Sequence, residues 1–537
     1  MSWLSRLLKR GLQRHGQRGG SARAAQSLVL WILSGTVVAA QESPKADPYG
    51  EGDDVGVKMT NGEQAAKRAC TICHVFPEPS QLTKKSWREQ LLPRMKVQLG
   101  VAKPDYSSSP EGELIRARKI YPDKPRIPVE DWPLIEEYYL SNAPEQSLPQ
   151  EPHGEISLGL PFFRTEIPHW RNPTPLTTLV KISPASHRLF AGDDKENTLS
   201  ILSAEGRLIK TLHVGNVPTD VVETEQGLYV VCIGSFQPSE VYRGELLFYP
   251  KQGDDYGEKK VLLKELPRPV QIQFGDFNGD GKLDFALCMF GNLTGRFSWF
   301  ENLGNDQYKE HVLSNKAGAL TCVVGDFNGD GKPDIAVLMA QELEMLLIMI
   351  NDGKGNFTSQ AVFQKSPAYG HVYFEFADFN KDGKPDLLVV NGDNGEFESP
   401  LKNYHGIRIY LNKGGGEFEE SFFYPINGCY KAMARDFDGD GNLDIAAISF
   451  FPDYRESPRE SFVFLRGEGG LKFKASTFKE CIGGRWLVMD VGDLDGDGKP
   501  DIVLGSYVKG PSPVPNFLMD LWEKQGPSVQ ILRNLAP

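Results

Sequence analysis

GDFNGDGKPDIAV, residues 325–337, places Asp326, Asn328, Asp330 and Asp334 at positions 1, 3, 5 and 9 of a glycine-rich loop. The phrase returns as GDFNGDGKLDFAL (275–287), ADFNKDGKPDLLV (377–389), RDFDGDGNLDIAA (435–447) and GDLDGDGKPDIVL (492–504), at intervals of 50 to 58 residues. A near-fixed period of this size marks a propeller, a solenoid or an array. Apolar runs flank each phrase, as in TCVVGDFNGDGKPDIAVL (321–338). A third alternating run follows in most periods, such as RFSWFENL (296–303), LLIMIND (346–352) or GIRIYLN (406–412). A glycine-rich turn and a last run close the period, as in NDGKGNFTSQAVF (351–363) and NKGGGEFEESFF (412–423). Four strands joined by tight turns make one propeller blade.

The loop has its own chemistry. Oxygens at positions 1, 3 and 5, the backbone carbonyl of position 7 and the carboxylate of position 9 can converge on one hard cation, and glycine at position 6 permits the reversal. The sets are Asp276, Asn278, Asp280, Lys282 (carbonyl), Asp284; Asp326, Asn328, Asp330, Lys332 (carbonyl), Asp334; and Asp378, Asn380, Asp382, Lys384 (carbonyl), Asp386. Two more are Asp436, Asp438, Asp440, Asn442 (carbonyl), Asp444 and Asp493, Asp495, Asp497, Lys499 (carbonyl), Asp501. An EF-hand is excluded by the missing glutamate at position 12 and by the strand-like flanks. Asp and Asn also form ordinary solvated turns, but five copies with one ligand spacing favour about five Ca²⁺ sites, since all-oxygen shells suit hard cations.

These phrases resemble the FG-GAP/VCBS-type repeats of integrin α-chain propellers and of many exported bacterial proteins. The resemblance covers about residues 270–535 and implies an all-β propeller. Upstream, PTDVVETEQGLYVVCIGSF (218–236) has the blade rhythm without the loop, and residues 177–214 have it more loosely. Five plus two predicts seven blades. Six or eight stay compatible, because the other end of the chain can complete a blade. Ahead of the inner strands stand Arg268, Tyr369, His371, Cys429, Tyr430, Lys431, Arg485 and Trp486. They can line a funnel for an anion, a sugar or a cofactor, or pack between blades. The insertions at 392–406 and 505–522 would stand around its rim.

A different chemistry precedes the repeats. RACTICHVFPEP (68–79) contains Cys70-Thr71-Ile72-Cys73-His74, the c-type haem attachment pattern. Two thiols at this spacing meet the two vinyl groups on one porphyrin edge, and the adjoining histidine reaches the iron. Zinc would need a second ligand pair, and no other CxxC exists. A thioredoxin-like site wants a βαβ context, whereas GEQAAKRA (62–69) reads as a helix.

The surroundings resemble class I cytochromes c, with a helix before the motif and a closing helix over Val129–Ala143. CHVFPEPSQLTKKSWREQLLPRM (73–95) resembles small cytochrome domains fused to exported repeat proteins of environmental bacteria. The resemblance implies covalent haem c on Cys70 and Cys73, with His74 as proximal ligand and its Nδ1–H on the carbonyl of Pro77 or Pro79. Met95 is the candidate distal ligand and His153 the alternative; a His/Met pair raises the potential and suits electron transfer.

The first forty residues carry six basic side chains and no acid, then the apolar run SLVLWILSGTVVAA (27–40). This order is that of a signal peptide, and the run is too short to span a bilayer. Export to the periplasm or exterior of a bacterium follows, with no membrane span in the mature chain. Without those six charges the net −12 becomes −18, and the side chains of the five loops carry 17 negative charges. The acidity belongs to the loops, and no basic stripe for nucleic acid is present. The expected order is a signal peptide (1–40), a small all-α cytochrome c-like haem domain (41–148), a linker (149–165) and the propeller (166–537). Cys232, Cys288, Cys322, Cys429 and Cys481 sit singly, mostly in apolar segments that suit burial. No nucleophile–base pair, phosphate loop or dinucleotide fingerprint appears, so no catalytic residue is named and enzyme status stays open. Two readings stand. One is a haem c electron-transfer protein whose propeller engages a redox partner, a carbohydrate or a small molecule as a dehydrogenase-like module. The other is a non-catalytic, calcium-dependent binding or adhesion propeller with an accessory haem domain.

Overall fold

Each acidic phrase closes a β-hairpin. In the 325–337 copy, strand Ala319–Gly325 ends at the first glycine and strand Asp334–Met339 begins at the position-9 aspartate. The computed structural model describes residues 58–395 and 400–537. The predicted signal segment lies outside the described residues, as does the rim tip 396–399.

Seven sheets of four or more strands repeat the hairpin pair around an axis. Blade 1 spans 177–213, blade 2 218–266, blade 3 269–314, blade 4 319–364, blade 5 371–425, blade 6 429–477 and blade 7 486–534. Blades 3–7 carry the acidic loops. Within a blade the second strand is buried at every position, as in Asp334–Met339 and Asp386–Asn391. Neighbouring blades cover both of its faces, which explains the continuous apolar runs DIAVLM and DLLVVN. The fourth strand lies at the rim and alternates, as in Gln307–Ser314. The fold is thus a seven-bladed all-β propeller.

Its closure corrects the predicted linker. Phe163–Glu166 pairs antiparallel with Val529–Asn534 and supplies the outermost strand of blade 7, with Phe163 opposite Asn534. Ser157–Leu158 adds a parallel fifth strand to blade 6 on Phe473–Thr477. Residues 157–158 and 163–165 of that segment therefore belong to the ring's sheets. Segments of two and four residues are too short for a readable period; the unpaired edges of their partners recruit them.

Helices precede the ring. Asn61 caps the helix Gly62–Cys70 by accepting the Gln64 N–H at 3.1 Å. Ala65, Ala66 and Ala69 are buried, and a Cβ on Gly62 would lie 2.7 Å from the Leu134 carbonyl. Small side chains thereby let this helix approach the helix Trp132–Asn142, as the motif's flanks predict. Leu82, Trp87, Leu92, Ile127, Trp132, Ile135 and Tyr139 complete the core. This unit rests on the face formed by the 2–3 and 4–1 loops. Arg118 donates to Glu240 and Thr294, both at 3.1 Å, with its guanidinium 3.8 Å from the Tyr242 ring centre. Glu111 accepts from the Ser239 hydroxyl at 2.6 Å, and the Ser366 hydroxyl donates to Gln81 at 2.8 Å.

Candidate functional site

The helix Gly62–Cys70 ends on the first thiol of the motif, and Thr71 caps it by donating its N–H to the Lys67 carbonyl at 3.1 Å. Cys70 Sγ lies 3.5 Å from the Tyr139 hydroxyl, which donates to the Pro77 carbonyl at 2.9 Å. Burial pushes the Cys70 thiol up to about 11. Burial also raises Cys73, helped by the Glu342 carboxylate and opposed by Arg126, whose guanidinium lies 3.7 Å from its sulfur. Both cysteines are free and half-buried. Raised thiols are the reverse of what a dithiol–disulfide redox site needs, where the attacking sulfur is a stabilised thiolate.

His74 is half-buried, and burial lowers its pKa. Its Nδ1 lies 2.9 Å from the Val75 carbonyl. Donation there leaves the lone pair on Nε2. The expected partners, the Pro77 and Pro79 carbonyls, are engaged elsewhere: Tyr139 takes the first, and Trp87 Nε1 the second at 2.9 Å. The nearest carbonyl won because the chain turns immediately after His74. Met95 packs half-buried against the same apolar cluster as Cys70. His153 is placed otherwise. Its Nε2 lies 3.2 Å from Glu460 of blade 6, its Nδ1 lies 2.8 Å from the Gly154 carbonyl, and its ring face stacks on Tyr424 of blade 5, so both nitrogens are engaged. His153 therefore does not fit as an iron ligand. The motif also meets the propeller rim, where Lys316 and Glu342 pair at 2.9 Å and act on Cys73. No sequence signal marks these two among the many rim charges.

The loops divide their acids between two tasks. The position-9 aspartate is buried in all five copies. One oxygen of Asp334 accepts the Phe327 N–H at 2.9 Å, and the other accepts the Asn351 N–H at 2.8 Å on the third strand. Asp284, Asp386, Asp444 and Asp501 repeat this pair. Burial raises Asp444 and Asp501 to about 6, against the pull of backbone donors, and neighbouring loop aspartates add to the rise. Positions 1, 3 and 5 face outward. The oxygens of Asp436, Asp438 and Asp440, and of Asp493, Asp495 and Asp497, come within 4.8 Å of one another. In the first three loops an asparagine, Asn278, Asn328 or Asn380, supplies the position-3 oxygen. Position-6 glycines take φ of 80° to 88°, as the reversal requires.

The predicted funnel is largely filled by packing. Arg268 donates to the carbonyls of Ser235, Phe236 and Gly291 and pins two rim loops. His371 is buried with Nδ1 2.8 Å from Glu344. Arg485 lies over the Phe450 ring at 4.2 Å and donates to Ser512, and Trp486 donates to the Cys481 carbonyl at 2.7 Å. Cys429 is buried, Tyr369 stacks on His371, and Tyr430 lies against Phe450 and Phe451. Lys431 places its ammonium 4.9 Å over Tyr373, among the inner-strand charges Asp490, Lys181, Glu375 and Asp220. Several of these inner-strand groups clasp the next blade: Asp220 accepts the Ile272 N–H at 3.0 Å and Asp490 that of Ile182 at 2.8 Å. A ring of inner strands needs such clasps because the N–H groups facing the axis have no neighbouring strand.

Comparison with known proteins agrees with this architecture. A profile of FG-GAP-like repeats matches residues 276–337, 337–389 and 436–504. No curated protein matches the chain. Among solved structures, one chain of a Saccharomyces cerevisiae Dbp5 variant bound to Nup159, a Gle1 variant, IP6 and ADP aligns at 10% identity. The alignment covers 72% of this chain and 98% of that one, with a TM-score of 0.40. BBS1N in complex with ARL6DN aligns at 11% identity over 70% and 98%, with a TM-score of 0.38. A luciferin-regenerating enzyme aligns at 11% identity over 53% and 88%, with a TM-score of 0.34. Likenesses of this degree carry no functional argument.

Proposed function

We propose that this chain is an exported bacterial haem c electron-transfer protein whose calcium-loop propeller binds a partner or substrate. One observation carries the reading: two unpaired thiols and a histidine with its Nε2 lone pair free stand together at the end of the Gly62–Cys70 helix. The donor set fits the group. Cys70 and Cys73 would hold it through thioethers, His74 Nε2 would face the iron, and Met95 supplies a thioether within the same apolar cluster as Cys70. Haem c, when bound, supplies one-electron exchange at its iron. The chain's own residues fix the imidazole through the Val75 carbonyl and hold the motif's loop through Tyr139 and Pro77. Lys316, Glu342 and Arg126 set the charge at the edge that meets the propeller. Among the described residues no helix is long and apolar enough to cross a membrane.

The loops fit Ca²⁺ on similar grounds: in the blade 6 and blade 7 copies three carboxylate oxygens converge, and the position-9 carboxylates Asp444 and Asp501 are already fixed by the backbone. A dication there would relieve the repulsion among 17 loop charges. Absorption spectra of periplasmically expressed protein, oxidised and reduced, test the haem assignment. We expect a covalent c-type spectrum that Cys70→Ala with Cys73→Ala abolishes; a haem band surviving denaturing electrophoresis in the double variant would refute it.

The matched FG-GAP-like repeats favour a second reading, a calcium-dependent binding or adhesion propeller with the haem unit as an accessory. Anaerobic mixing with a broad panel of sugars and alcohols separates the two. Haem reduction without added enzyme supports the dehydrogenase-like form, and no reduction by any donor favours the binding module.

A further inference from the structure

The five acidic loops are near-copies, so a departure in one of them stands out against four internal controls. Loop position 4 is glycine in blades 3, 4, 6 and 7, with φ of 76° at Gly279, 79° at Gly329, 75° at Gly439 and 80° at Gly496. Blade 5 keeps that left-handed backbone but places Lys381 there, at φ 62°. A lysine in this left-handed region is strained, and such strain persists where surroundings or function demand the side chain. Position 7 departs in the next blade. Lys282, Lys332, Lys384 and Lys499 pair with the position-5 aspartate of their own loops at 2.9, 3.0, 3.8 and 3.9 Å. Blade 6 has Asn442 instead, and its side-chain oxygen accepts from Lys381 at 2.9 Å across the gap.

A third departure opens the space between them. The residue whose N–H reaches the position-9 aspartate from the third strand is asparagine in blades 3, 4, 5 and 7 and Gly467 in blade 6. Asn351 and Asn534 use their amides to bridge to the Phe277 and Phe437 carbonyls of the preceding blade, at 2.9 and 2.8 Å. Gly467 cannot bridge to Phe379. A cavity of about 280 Å³ lies there, lined by Phe379, Lys381, Asn442, Lys472 and Phe473 among others. Among the described residues neither Lys381 nor Lys472 pairs with a carboxylate, although the surrounding face is dominated by aspartate.

We infer that this gap between blades 5 and 6 binds a carboxylated sugar unit of the uronate type. Two lysines without acidic partners supply the charge for one carboxylate, as compact point charges. The Asn442 amide matches hydroxyl groups. Phe473, packed at 4.9 Å on Phe422, offers a fixed apolar surface for a ring face. The volume is near the lower end of ligand pockets, which suits one monosaccharide unit. The site lies on the loop face, independent of the haem motif.

The test titrates the full mature protein, in calcium-replete buffer, with a galacturonate trimer and with its neutral methyl ester. We expect the acid to bind and the ester to bind about tenfold more weakly or worse, as loss of a charge-assisted contact implies. Lys381→Gly installs the residue found in four sibling loops, so it should fold with an unchanged or higher melting temperature while losing about tenfold in affinity for the acid. Lys472→Ala should weaken binding without touching the loop backbone. No binding of the trimer, equal affinity for acid and ester, or full affinity in both lysine variants would overturn the inference.

Discussion

Blades 3–7 and blades 1–2 turn the same corner by different means. The five loop-bearing blades use a buried position-9 aspartate to tie the loop to the third strand, and leave the side-chain oxygens of positions 1, 3 and 5 outside. Blades 1 and 2 have no such loop. Their corner is tied by Glu223, whose carboxylate accepts from the Ser183, Ser186 and Tyr256 hydroxyls at 2.5 to 2.7 Å. The blade is therefore encoded by its strands, and the corner accepts either solution. What the acidic loop would add, on the calcium reading proposed above, is dependence on an ion.

The comparison can be broken most severely at position 9. Asp334→Ala would leave the half-buried Phe327 N–H and the buried Asn351 N–H without acceptors. We expect a loss of about 3 kcal/mol or more in unfolding free energy, calcium present or absent. A melt close to that of the unchanged protein would mean that the staple is not the structural half of the loop.

A second measurement separates the ion from the staple. Asp330→Asn changes an exposed position-5 oxygen. The chelated protein should melt as before, while the calcium midpoint for stabilising that blade rises about tenfold, since ligand charge tunes such sites. EGTA should lower the melting temperature of the parent. A melting curve indifferent to EGTA would make the loops ordinary turns.

The smallest effect is expected at the Glu223 corner. Burial works to raise the Glu223 carboxyl, but the hydroxyls of Ser183, Tyr256 and Ser186 outweigh it and hold the pKa below the ordinary 4.5. A depressed carboxylate contributes stability above its unfolded pKa and loses it as pH falls through the folded value. Glu223→Gln should cost about 1 kcal/mol at neutral pH and flatten the acid limb of the stability curve. An acid limb unchanged by Glu223→Gln would assign that corner to its backbone alone.

Legibility followed the same division. Wherever a residue acts through its neighbours in sequence, the chain could be read. The loop period, the paired runs around it, the helix that ends on Cys70 and the helix over Trp132–Asn142 all arise from local spacing. The funnel residues show the limit. Arg268 and Arg485 look like free cations in sequence, yet they meet carbonyls, rings and a hydroxyl supplied from segments 23 to 35 residues away. His153 likewise looks available until Glu460, 307 residues on, closes on it.

Sequence alone determined the repeat, its oxygen-rich loops and the CxxCH pattern, because these are statements about spacing along one chain. Tertiary structure decided three things. It brought Phe163–Glu166 to Val529–Asn534, so that the ring is sealed by residues read as linker. It gave the His74 proton the Val75 carbonyl and spent the proline carbonyls elsewhere. It also set Lys381 opposite Asn442 across a gap that Gly467 leaves open. Each depends on which backbone edge, carbonyl or amide comes within about 3 Å, and hydrogen bonds at that range are settled only when distant segments pack.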